Sequence, residues 1–203
     1  MLWLPRNPLS FGANRSSTCF GACYRVSRQR WPLFVAAISL TSAATTLRLG
    51  VGLNVSRSAP RGIYQATSDA PARGALVAAC LPGALAAFGR ARSYLGQGDC
   101  PGSAQPVLKR VGAVAGDVVQ VGRETVAVND VCLFTRPIEA LDSAARPVPH
   151  VTFGSYVVAT DEVWLFGHSS GRSWDSRYFG PVPVGSVRSV VRPVLTLDGG
   201  WDR

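Results

Sequence analysis

The sequence predicts a mainly β domain preceded by one N-terminal transmembrane helix, on three observations. Beyond residue 50 the chain breaks into short Val-rich runs separated by Gly, Pro and Asp, the punctuation of strands and turns. No stretch there keeps a helical period over several turns, and no unit repeats. Before residue 50, an uncharged run of 17 residues from Trp31 to Leu47 follows Arg25, Arg28 and Arg30. That is the short limit for a spanning helix, with a basic flank that stays cytosolic and Trp31 at the interface.

These features divide the chain into a basic cytosolic segment (1–30), a membrane anchor (31–52) and a folded domain (53–203) on the far side of the membrane, a bacterial periplasm if the host is bacterial. Two other readings of the run stay open. Ser39, Thr41, Ser42, Thr45 and Thr46 make it only moderately apolar, as in a buried helix. Ser42-Ala43-Ala44 is a small-x-small site of the kind that ends a removed signal peptide, although a 30-residue basic leader is long for one.

The net charge of +9 raises the question of nucleic acid, and its distribution answers it. Residues 1–50 carry six arginines and no acid, while residues 51–203 hold 15 cations against 12 anions. The excess belongs to the membrane flank. No basic helix or aromatic stacking motif is present to read bases, so nucleic acid is not an expected partner.

The folded domain reads in order as strands at 74–80 and 106–114, a hairpin over 116–130 turning at Gly122-Arg123-Glu124, strands at 155–160 and 161–167, and a closing strand at 185–197. The Ala- and Arg-rich stretch from Leu85 to Leu95 predicts a short helix. Of the five cysteines, Cys19 and Cys23 fall on the reducing side of the membrane. Cys80 and Cys100 bracket a Gly- and Ala-rich segment that a disulfide would close; alternatively Cys80, between Ala79 and Leu81, is a small buried apolar residue. Cys132 has no assigned role. No spacing of Cys and His resembles a metal site, and no cofactor motif appears.

Lys109 is the only lysine in 203 residues, beside 20 arginines. It lies in an apolar strand, with Val107, Leu108 and Val111 around it, and the pattern leaves open which way it points. Arg serves as well as Lys on a surface, but only Lys can lose its proton when desolvated and act as a base. A GC-rich gene also depletes lysine, so composition alone does not decide. A neutral lysine base calls for a serine nucleophile. Ser58 lies in "NVSRSAPRGIY", held in a loop by Pro60 and Gly62 just after the membrane run; an ordinary Ser/Pro/Gly turn has the same composition. A third segment, "GHSSGRSWDSRYFGPVP" (167–183), places Ser173, Asp175 and Arg177 within reach of one another, with Tyr178 and Phe179 available to pack beneath the loop. Read alone it is a solvated loop with a surface ion pair.

In this order, the Ser loop after an anchor, "LKRVGAVAGD" and "SWDSRYFG" resemble the Ser–Lys signal peptidase family. The Ser box lacks the Ser-x-x-Pro form of general leader peptidases, because Pro60 is two residues after Ser58. "N-x-S-x-S-x-P-x-G-x-Y", "GDCPG" at 98–102 and "RYFGPV" at 177–182 are similar instead to the TraF subgroup, the pilin-maturation peptidases of plasmid conjugation.

The resemblance implies a signal-peptidase-like β-rich catalytic domain in the inner membrane, with that domain periplasmic. It implies Ser58 as nucleophile, Lys109 as general base and Asp175 as important for activity. Ser56 and the Ser58 amide would form the oxyanion hole, Ser173 would orient Lys109, and Asp175 and Arg177 would form a structural ion pair. The implied partners are a pilin precursor peptide, inner-membrane lipid and the type IV secretion or mating-pair apparatus. The implied reaction is pilin maturation, with cyclisation in some systems; no cofactor or metal is expected. His168 receives no role, and with two histidines in the chain a Ser-His-Asp triad is the weaker reading. Competing functions are a general leader peptidase, a non-enzymatic pilus-assembly scaffold and a cytosolic repressor-type autoprotease, the last lacking its DNA-binding segment.

Overall fold

The computed structural model describes residues 50–56, 59–135, 137–167 and 173–197. The chain divides into two units, Met1–Ser42 and Ala43–Arg203, and every described residue belongs to the second. The predicted anchor falls outside the described residues except for its last positions, where Val51 and Gly52 already begin a strand. Among the described residues no helix is long and apolar enough to cross a membrane.

The short Val-rich runs form strands, as their alternation predicts. One sheet, among the described residues, has seven strands in the order β1 (Val51–Asn54), β2 (Gly62–Thr67), β12 (Val187–Thr196), β3 (Leu76–Ala79), β5 (Val107–Ala113), β10 (Glu162–Phe166) and β11 (Val182–Pro183). A second has four, in the order β8 (Val131–Thr135), β7 (Thr125–Val128), β6 (Val118–Val121) and β9 (Gly154–Val157). All the pairings within them are antiparallel. β4 (Gln97–Cys100) lies outside both sheets.

Strand β10 joins the two cores. Its run "VWLF" is buried on both faces, which is why it reads as continuous rather than alternating hydrophobicity. Val163 and Leu165 pack with Val77, Val111 and Val182 in the core of the large sheet. Trp164 and Phe166 face the other way, into a core with Val119, Val121, Val126 and Val128 of the small sheet.

The hairpin of β6 and β7 turns at the predicted residues, with Val121 opposite Val126. It continues, however, into an unforeseen strand β8. Asn129 and Asp130 take φ of 50° and 62° between the paired Val128 and Val131, the left-handed pair that a two-residue hairpin turn requires. β12 carries Pro193 although it lies between β2 and β3; the register shifts between Pro193 and Leu195, a bulge that accommodates the missing N–H.

Helix α1 (Gly83–Ala91) occupies most of the predicted helical stretch. Alanine gives it propensity, Pro82 precedes its first turn, and it ends before Ser93, which has φ of 59°. It sits inside the loop closed by a Cys80–Cys100 disulfide, 20 residues apart in sequence. Closing a loop of that size stabilises the fold by about 3 kcal/mol through the unfolded chain's lost entropy. Cys132 is an exposed free thiol on β8.

Candidate active site

Strand parity settles which way Lys109 points. Along β5, Val107, Lys109 and Val111 are buried while Leu108 and Arg110 are less so, so the lysine occupies a core-facing position. It lies opposite Val77 of β3, in a strand flanked on its other side by β10. Only 3% of it is exposed. Burial pushes its amine down from 10.5 to about 8; the Asp175 carboxylate pulls it up and the Arg177 guanidinium pushes it down.

The amine donates to Ser173 Oγ at 2.5 Å, and Ser173 is itself buried. Two features make room for this pair. Gly167, just after β10, passes so close that a Cβ there would lie 1.9 Å from Ser173 Oγ and 3.3 Å from Lys109 Nζ. The segment 173–180 is tied down residue by residue. Asp175 Oδ1 accepts from Arg177 N and Nε at 3.1 and 2.9 Å, and Asp175 Oδ2 from Arg177 Nη2 and Gly167 N at 3.0 and 3.1 Å. Arg177 Nη2 also donates to the Ser173 carbonyl at 3.2 Å. Ser176 Oγ takes the Leu165 amide at 2.8 Å. Asp175 caps the one-turn helix α2 (Ser176–Phe179), which stops at Gly180 with φ of 77°.

Asp175 and Arg177 are therefore a buried pair, 0% and 1% exposed, rather than the surface ion pair that the residues suggest on their own. Asp175 acts on Lys109 through its field and through Ser173, by way of Arg177. Trp174 continues the frame: its ring lies 5.8 Å from Phe88, 5.4 Å from Tyr94 and 5.1 Å from Phe179. Phe88 and Tyr94 come from the disulfide-closed segment, so that staple supports one wall of the site.

Ser58 and its neighbour Arg57 lie outside the described residues, as do His168 and Arg136. The residues around Ser58 are described. A cavity of about 440 Å³ is lined by Asn54, Val55 and Ser56 at the loop entry and by Lys109 and Ser173. Its walls include Leu53, Leu95, Leu108, Leu141, Val148 and Trp174, with Tyr178 and Glu139 at one side. Ser56 Oγ donates to Asn54 Oδ1 at 2.8 Å. Among the described residues no group of three or more His, Cys, Asp and Glu is placed to hold a metal ion.

Comparison with known proteins places the chain in a family. The family described as "Signal peptidase, peptidase S26" matches residues 29–195. This chain belongs to the S26 signal peptidase family. Within that family it is similar to plasmid transfer protein TraF of Escherichia coli, at 39% identity over 165 residues, 80% of this chain and 90% of that one. It is also similar to a probable conjugal transfer protein TraF of Sinorhizobium fredii, at 36% identity, covering 83% and 92% of the two chains. A crystal structure of a signal peptidase I from Enterococcus faecalis aligns with 61% of this chain and 98% of its own at 25% identity, with a TM-score of 0.36.

The buried amine sets a pH dependence for any S26 chemistry that uses it as a base. A lysine that titrates near 8 is about one-tenth neutral at pH 7. The kcat/KM of peptide cleavage is expected to rise about tenfold per pH unit below pH 8 and to level off above it. A kcat/KM profile between pH 6 and 10 checks this; a limb near 10.5, or no limb, would remove Lys109 from the proton transfer.

Sequence reasoning missed Asn54, Gly167 and Ser176. Asn54 lies inside the Ser motif, four residues before Ser58. Gly167 and Ser176 matter only because β10 and the closing segment meet in space.

Proposed function

We propose that this protein is a membrane-anchored Ser–Lys endopeptidase that matures the pilin precursor of a conjugation system, with its catalytic domain in the periplasm. The observation that carries the reading is the lone lysine buried in a cavity wall, its amine held by a serine hydroxyl and titrating near 8. Similarity to the TraF plasmid-transfer proteins supports the conjugative setting. Exposed Leu53, Val55, Leu195 and Leu197, at the end of the sheet that carries the Ser loop, support a position against lipid.

In this reading neutral Lys109 takes the Ser58 Oγ proton as that oxygen attacks the scissile carbonyl. The Ser58 amide and the Ser56 hydroxyl stabilise the oxyanion; losing one such donor lowers the rate about 10²–10³-fold. Collapse of the tetrahedral intermediate breaks the C–N bond, and the proton on Lys109 passes to the leaving amine. An acyl-ester on Ser58 remains. Water attacking it, with Lys109 again as base, releases a linear mature peptide. A free peptide amine attacking it forms a new peptide bond, which is cyclisation when that amine is the substrate's own N-terminus.

The test is co-expression of the full chain with the pilin precursor of the same conjugation system, followed by intact mass spectrometry of the pilin. A mature mass that depends on Lys109 is expected. A mass one water below the linear mature peptide identifies transpeptidation; the linear mass identifies hydrolysis. Unprocessed precursor with the active chain overturns pilin as substrate.

A further inference from the structure

We infer that Asn54 is a positioning residue for the nucleophile, acting as a clamp across the mouth of the Ser loop. This rests on the Ser–Lys reading above. Asn54 is the last residue of β1 and pairs with Gly62, the first residue of β2. Seven residues, 55–61, connect the two paired strands, and Ser58 is the fourth of them in sequence. A loop of this length has no ladder of its own to hold a side chain in one place.

The carboxamide of Asn54 supplies what the ladder does not. Its Nδ2 shares two hydrogens among the carbonyls of Ser56, Ala59 and Pro60, at 3.1, 3.1 and 3.0 Å. Its Oδ1 accepts the Ser56 amide at 3.1 Å and the Ser56 hydroxyl at 2.8 Å. Three carbonyls on one side and two donors on the other fix the amide's orientation, because the flipped amide would set oxygen against oxygen. The clamp thus holds the chain two residues before Ser58, one after it and two after it.

Two other residues of the motif brace the same loop. Tyr64 Oη donates to the Pro60 carbonyl at 2.6 Å, so that carbonyl is held twice. Gly62 lets β12 pass closely: a Cβ there would lie 2.0 Å from the Leu195 carbonyl oxygen. The alternate positions Asn54, Ser56, Pro60, Gly62 and Tyr64 each have a task in shaping the loop around Ser58.

The clamp also sets the Ser56 hydroxyl. Its hydrogen points at Asn54 Oδ1, so donation to an oxyanion requires it to turn away from Asn54. The neutral amide releases it readily, while the Ser56 amide keeps Oδ1 occupied. A carboxylate at residue 54 would hold the hydroxyl more tightly and repel the three carbonyls.

The experiment compares Asn54→Ala, Asn54→Asp and Tyr64→Phe with the unsubstituted full chain in membranes, measuring kcat, KM and the pH profile of precursor cleavage together with Tm. Ser58→Ala is the control. A misplaced nucleophile lowers kcat about 100-fold. Asn54→Ala is expected to show that loss in kcat with KM within about twofold, the same acid limb and a nearly unchanged Tm. Asn54→Asp should lose more than Asn54→Ala, and Tyr64→Phe less. Unchanged kcat in Asn54→Ala overturns the proposal, as does a loss confined to KM or one matched by a fallen Tm. If Ser58→Ala still cleaves, the Ser–Lys reading fails and takes this proposal with it; if Ser58→Ala is inactive but Asn54→Ala is not, only the proposal fails.

Discussion

Replacing Lys109 with methionine is expected to abolish peptide cleavage and to raise the stability of the domain. The two effects have one origin. Burial has moved the amine from 10.5 to about 8, so holding it in the core is unfavourable wherever it is protonated. The unfolded chain binds more protons than the folded one between those values, so the lysine's destabilising contribution is full below pH 8 and fades as pH rises from 8 towards 10.5. A shift of that size corresponds to about 3 kcal/mol near neutral pH. Methionine fills the same slot beside Val77 without a charge, so chemical denaturation at pH 7 should show a gain up to that amount, and none above pH 10.5. Cleavage should fall by about 10³-fold or more, since the base is gone. Lys109→Arg should be equally inactive, because a guanidinium keeps its proton, but less stable, because it adds a second buried guanidinium near Arg177. Processing by either variant at more than about a hundredth of the original rate would sink the Ser–Lys reading.

That lysine was also the most legible part of the site. Composition singled it out, but the apolar run left its direction open, and only the burial pattern of β5 put it on the core face with Val107 and Val111. The strands β5 to β7 were legible from their Val-rich runs. Strand β8 was not, although Asn129-Asp130 has the composition of a two-residue hairpin turn. The β1–β2 hairpin escaped because its loop is long and its strands carry mixed residues. Gly167 was illegible in principle: its lack of a side chain matters only because Ser173, six residues on, folds back against it. The ion pair of Asp175 and Arg177 was legible as a pair but not as a buried one, since residues two apart in a Ser-rich stretch look solvated until the end of β10 and Val151 meet the closing segment.

Burial is what makes that pair the second large effect. Asp175→Asn keeps the shape of the side chain but leaves the Arg177 guanidinium, 1% exposed, without its countercharge. Breaking such a pair from one side destabilises by about 3–5 kcal/mol, a large share of the roughly 5–15 kcal/mol that holds a domain folded. Removing both charges together, as Asp175→Leu with Arg177→Met, strands no charge and should recover most of that loss. The cycle separates two roles for Asp175. If it serves by framing Ser173 through Arg177 and by tethering Gly167, the single variant loses stability and activity together. The double variant then regains stability but stays slow, because the Ser173 carbonyl has lost its Arg177 donor and Lys109 its oriented hydroxyl. Its acid limb reports the fields directly: Asp175 raises the Lys109 amine and Arg177 lowers it, so Asp175→Asn alone should move the limb below pH 8, and the double variant should move it back towards 8. Denaturation curves and kcat/KM profiles of the two variants and the original chain check both. If Asp175→Asn is as stable as the original chain, the buried pair does not hold the site together, and the carboxylate would have to be sought among the reacting groups.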